Sequence, residues 1–160
     1  MANELQMVFA STTTVLSHAA TLTTTDWTFS GKAGTTMTPL DNSTNKYPYA
    51  KAVLGIPDTL SAAITAGSTV DLYMTEEDID GASDETPVPA TSQSPTTLAK
   101  YVGSFVLDDQ DVAYIKPIVI SLEGVQRANF YILNNTSASL TYTSNPITVK
   151  ITPFTYKPAA

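Results

Sequence analysis

The stretch Ile147–Phe154 sets Ile147, Val149 and Ile151 against Thr148, Lys150 and Thr152. A period of two marks a half-buried strand, because successive side chains of an extended chain point to opposite faces. Thr69–Thr75 repeats the pattern, with Val70, Leu72 and Met74 alternating with Thr69, Asp71, Tyr73 and Thr75. Thr is the commonest residue of the chain, and its branched Cβ favours the pleated surface of a sheet over a helix. Helix signals are thin. Asp58–Ala66 offers one or two turns, with Asp58 or Thr59 as cap and Gly67 as stop, or equally an irregular connection.

Further strands are expected in the Thr-rich run Thr12–Thr25 and at Tyr47–Ile56, Tyr101–Leu107, Val112–Leu122 and Ala128–Leu133. Pro48 belongs at a strand start or edge, and Pro117 at a bulge or edge, since neither can donate to a ladder. In Asp26-Trp27-Thr28-Phe29 the alternation puts Trp27 and Phe29 on one face. Ser30–Asn45, rich in Gly, Thr, Ser and Asn, reads as loop. Seven or eight short strands predict one all-β domain over residues 1–160, an antiparallel β-sandwich with little or no helix. Strand count alone leaves a jelly roll and an immunoglobulin-like sandwich both open. The 160 residues bury about 69% of the unfolded chain's surface, enough for a core without staples.

Composition removes several function classes. The chain has no Cys and one His, which excludes thiolate nucleophiles, Cys-ligated metals and two-imidazole sites. Its net charge is −7, and the eight basic residues are scattered singly, with Arg127 the sole Arg. Nucleic acid and anionic lipid both call for clustered cations, so neither is an expected partner. Met1–Leu5 has no basic n-region or apolar h-region, so no secretory leader is expected, and no apolar run reaches membrane-spanning length. Sequons at Asn42, Asn134 and Asn135 carry little weight in a chain expected to be made in a cytoplasm.

Six of the fifteen acids fall in Glu76–Glu85, the first part of an acidic, Pro-rich segment over residues 76–100. Twenty-five residues without periodicity predict a long loop. Glu76, Asp78, Asp80, Gly81 and Asp84 match five EF-hand loop positions, but Pro87 stands where the bidentate Glu is needed, so an EF-hand is rejected. Asp78, Asp80 and Asp84 remain metal candidates beside the plainer reading of a solvated loop tip; Asp108, Asp109 and Asp111 form a smaller cluster that reads as an Asp-rich turn. Ser17, His18 and Asp26 lie close in sequence, which is no evidence for a triad defined by geometry. No catalytic residue and no cofactor is expected. Trp27, Tyr47, Tyr49, Tyr73 and Tyr101 are candidates for a sugar-stacking platform, or for ordinary sheet positions.

The series Tyr47–Leu54, Gly67–Met74, the acidic Pro-rich excursion, Tyr101–Phe105 and Asn129–Thr136 resembles small virion proteins of tailed bacteriophages. Among these it is most similar to capsid cement, or decoration, proteins built as jelly rolls. The resemblance covers residues 47–154 and leaves the first 46 outside it. It implies a jelly-roll fold and a non-enzymatic homo-oligomer, dimer or trimer. Such a protein binds the major capsid protein on the capsid exterior of the virion after synthesis in the host cytoplasm. The first 46 residues are expected to supply the first strands, or an arm over residues 1–12 that adds to a neighbour's sheet edge, with Leu5, Met7, Val8 and Phe9 as candidate capsid contacts. The alternative function is a carbohydrate- or host-binding module of a tail or head fibre.

Overall fold

The computed structural model describes residues 5–58, 60–77, 95–108 and 113–158. Among the described residues ten strands form: β1 (Leu5–Phe9), β2 (Thr13–His18), β3 (Thr35–Met37), β4 (Leu40–Asp41), β5 (Tyr49–Ile56) and β6 (Thr69–Glu76), then β7 (Lys100–Val106), β8 (Tyr114–Ser121), β9 (Arg127–Asn135) and β10 (Ile147–Pro158). One short helix, α1 (Pro95–Leu98), precedes β7. The strands make two antiparallel sheets. One runs β3-β2-β10-β5-β8, with β1 also paired to β10; the other runs β4-β9-β6-β7.

The all-β sandwich expected from the alternating stretches is what the chain forms. On β10, Ile147, Val149 and Ile151 turn inward, and Val70, Leu72 and Met74 of β6 meet them from the second sheet. Among β2 and β4 to β10, only β6 and β7 are consecutive strands in one sheet; the other connections cross between layers. This order is consistent with a jelly roll. At the β7–β8 side the layers close tightly, since a Cβ on Gly103 would lie 2.9 Å from Ile118 Cδ1.

The amino-terminal quarter differs from its sequence reading. Of the two forms expected for the amino-terminal residues, Leu5–Phe9 takes that of a strand, and within its own chain. It pairs residue by residue with β10, from Leu5 opposite Pro158 to Phe9 opposite Phe154. The Thr-rich run yields only β2, after which the chain leaves the sheet and touches β9 and the 138–140 region through bridges at Trp27 and Leu22. Ser30–Asn45 contains β3 and β4, strands of three and two residues that neighbouring ladders impose. The described residues of 58–66 form no helix, and the helical turn falls instead at Pro95–Leu98. Pro117 lies on β8, the edge strand of its sheet, where a missing N–H does least harm.

Candidate functional site

The outward face of the larger sheet follows from the strand period. With Val149 and Ile151 inward, Thr148, Lys150, Thr152, Phe154 and Tyr156 of β10 point outward. Register then sets their neighbours. Phe154 lies opposite Phe9 on one side and Tyr49 on the other, and Met7 lies opposite Tyr156. The rings form one cluster: Phe9–Phe154 centroids are 5.5 Å apart, Tyr49–Phe154 5.7 Å, Phe154–Tyr156 5.8 Å and Tyr49–Tyr156 6.2 Å. Phe154 is buried at the centre, whereas Phe9, Tyr49 and Tyr156 remain 53%, 41% and 49% exposed.

Aliphatic groups extend this face on both flanks. Leu5 and Met7 continue it along β1, and Ile115, Pro117 and Val119 stand outward on β8. Ile115 is 80% exposed and Val119 66%. Lys51 and Lys150 are the charged residues at outward positions on β5 and β10, and no Asp or Glu occupies an outward position on β1, β5, β8 or β10. A chain of net charge −7 thus has a sheet face that is apolar and locally cationic. Three half-exposed rings with Leu5 and Met7 beside them, and Ile115 and Val119 on the far edge, give this face the apolar, aromatic character of interaction surfaces.

The arm candidates Leu5, Met7 and Phe9 all lie in this patch, exposed, while Val8 faces the other side of the ribbon and is half-buried. Sequence reading missed Phe154 and Tyr156. Their signal was present, because Thr152, Phe154 and Tyr156 prolong the outward set of β10.

The expected aromatic platform divides between two surfaces. Trp27, Phe29, Tyr73 and Tyr131 form a buried cluster on the outside of the smaller sheet, with Trp27–Phe29 centroids at 5.0 Å and Trp27–Tyr131 at 6.5 Å. Trp27 and Phe29 do share a face, as their alternation required. Tyr101 packs edge-on to Tyr73 at 5.7 Å and is the exposed ring of that set. Tyr49 lies on the opposite sheet, and the half-buried Tyr47 sits where its amide is held by Asn42. These five residues therefore form no common stacking surface. Burial, aided by Asp71, raises the Tyr73 phenol above its usual range. Asp71 itself accepts a 2.6 Å hydrogen bond from Ser104.

Ser17, His18 and Asp26 are not assembled for catalysis. His18 is buried with Nδ1 2.8 Å from Thr35 Oγ1, and its Nε2 has no partner. Desolvation lowers its pKa, Lys32 lowers it further, and Asp26 opposes both. Asp26 pairs with Lys32 and accepts the Trp27 backbone N–H. Asp78, Asp80 and Asp84 lie outside the described residues, as do Asp109 and Asp111. Asp108 pairs with Lys116 at 2.6 Å. Among the described residues no cluster of three His, Asp or Glu groups could hold a metal ion, and no helix is long and apolar enough to cross a membrane.

No protein-family model matches this chain, and no curated protein matches it.

Proposed function

We propose that this chain is a non-enzymatic structural protein of a tailed-phage virion, a jelly-roll decoration protein that cements the head. It docks on the major capsid protein at the capsid exterior through the outward face of its six-stranded sheet. The observation that carries the docking role is the ring cluster around the buried Phe154, in which Phe9, Tyr49 and Tyr156 are exposed. Such rings offer large contact area at low entropy cost and are enriched at the centres of interfaces. The strand order and the resemblance over residues 47–154 support the virion assignment. Dimers or trimers repeated over a symmetric shell gain affinity from multiplicity more than from any single contact.

The test is location. Quantitative mass spectrometry of purified particles is expected to find hundreds of copies per head, as many repeated capsid sites require. A few dozen copies or fewer, with specific recognition on a glycan array, would overturn the proposal in favour of a fibre-borne carbohydrate- or host-binding module.

A further inference from the structure

At one end of the outward face, β5, β8 and β10 border an open-mouthed cleft of about 430 Å³. Val53, Ile115 and Pro146 line it with apolar surface, and Asn145 and Lys150 contribute polar groups. Among the described residues no carboxylate lines the cleft, and Lys150 has no ion-pair partner. Gly55 shapes the floor of this cleft. Gly55 sits mid-sheet opposite Thr148, and a Cβ there would come within 2.9 Å of Thr148 Oγ1. The missing side chain makes room for the Thr148 hydroxyl across the ladder and leaves the outward surface low at this point. Here it deepens the cleft between Val53 and Pro57.

The volume lies in the range of small-ligand sites, about 300–1,000 Å³. The wide mouth favours a different occupant, however. A free small molecule gains most where its surface is nearly all enclosed, whereas an anchor side chain on a macromolecule is held by contacts around the pocket as well. The cleft is continuous with Ile115 and the outward face, which supplies those contacts.

We infer that this cleft receives an apolar side chain flanked by carboxylates, carried on a loop of the protein that docks on the outward face, with Lys150 as its counter-ion. This rests on the docking reading above. Charge decides against a second copy seated face to face, because each Lys51 and Lys150 would then meet lysines and no acid on the other face.

The test uses the isolated, isotopically labelled protein and three capped five-residue peptides, followed by NMR titration. One peptide carries leucine between two aspartates, the second leucine between two lysines, and the third serine between two aspartates. The first is expected to shift the amides of Val53, Gly55 and Ile115 saturably in the millimolar range, and the other two to bind at least about tenfold more weakly. Lys150→Glu should invert the preference between the two leucine peptides. Ile115→Ser should weaken the first without changing the sign of the preference. Equal binding of all three, or shifts confined to other surfaces, overturns the inference. Particle occupancy reports separately. Peptide selectivity with no copies on particles defeats the virion reading alone; normal occupancy of Lys150→Glu particles without peptide selectivity defeats the cleft assignment alone.

Discussion

Tyr49 stacks on Phe154 across the β5–β10 ladder, with 5.7 Å between centroids and 28° between ring planes. Phe154 is buried by this contact and by Phe9 on its other side, so exposed rings shield a central one. Phe154→Ala is therefore expected to cost about 3 kcal/mol, as for a buried aromatic, and Tyr49→Ala clearly less. A double-mutant cycle by denaturant unfolding should return a coupling of about 0.5–1.5 kcal/mol between the two rings. A coupling near zero would mean that the stacking contributes nothing beyond area.

The exposed members of the same cluster are expected to separate binding from stability. Phe9→Ser and Tyr156→Ser remove half-exposed rings and should change unfolding free energy by about 1 kcal/mol or less. On purified particles each should lower occupancy several-fold, and the pair together should abolish it. Ile115→Ser is predicted to weaken attachment without loss of stability. Wild-type occupancy in all three variants would remove the outward face from the interface.

The strands with inward residues at every second position were readable in advance because one buried face forces the pattern. Val70, Leu72 and Met74 could not be turned outward without losing the core. What failed was non-local. The partner of Leu5–Phe9 is Phe154–Pro158, at the other end of the chain, so its apolar stretch left a strand in its own sheet and an arm on a neighbour both open. β3 and β4 are too short for any period and exist because β2 and β9 offer open ladder positions. Which rings share a surface likewise depended on register. Tyr73 meets Tyr101 and Tyr131 across its two ladders, while Tyr49 belongs to the other sheet. Spacing along the chain carries none of that information.

His18 makes stability depend on acidity. Its folded pKa lies below its ordinary value, chiefly through burial, so the unfolded chain binds the proton more readily. The stabilisation is fully present above the unfolded pKa, near 6.5, and is lost as pH falls from there through the folded value. The slope in that window is at most about 1.4 kcal/mol per pH unit. Denaturant titrations between pH 7 and 5 should show this loss, and His18→Leu should flatten its share of it. The variant also removes the bond to Thr35 Oγ1, so it is expected to be less stable at pH 7 yet less sensitive to acid. An unchanged pH profile in His18→Leu would assign the acid sensitivity to other groups.

Asn134 makes four side-chain hydrogen bonds in the interior. Its side chain is fully buried; Nδ2 donates to the carbonyls of Leu22 at 3.0 Å and Ala138 at 2.9 Å. Oδ1 accepts from the Thr136 amide at 3.1 Å and from Thr136 Oγ1 at 2.8 Å. The Leu22 bond ties the end of β9 to the segment leaving β2, the other three brace the turn after β9, and Asn134-Asn135-Thr136 acts as a structural latch. The Asn134 sequon is inaccessible for the same reason. Asn134→Ala leaves the Thr136 amide without its acceptor, while the Leu22 and Ala138 carbonyls each keep one donor, the Leu140 amide and the Thr136 hydroxyl; this predicts a loss of about 1–3 kcal/mol. Asn134→Asp is the sharper experiment, because its shape is kept and only the donor is lost. At neutral pH the carboxylate would face the Leu22 and Ala138 carbonyls, so the variant should be less stable than Asn134→Ala. Protonating the carboxyl restores one donor. Asn134→Asp is therefore expected to recover toward Asn134→Ala as pH falls, measured by the denaturant midpoint of each variant at successive pH values. Parallel pH profiles for the two would show that donation to these carbonyls is not what holds the turn.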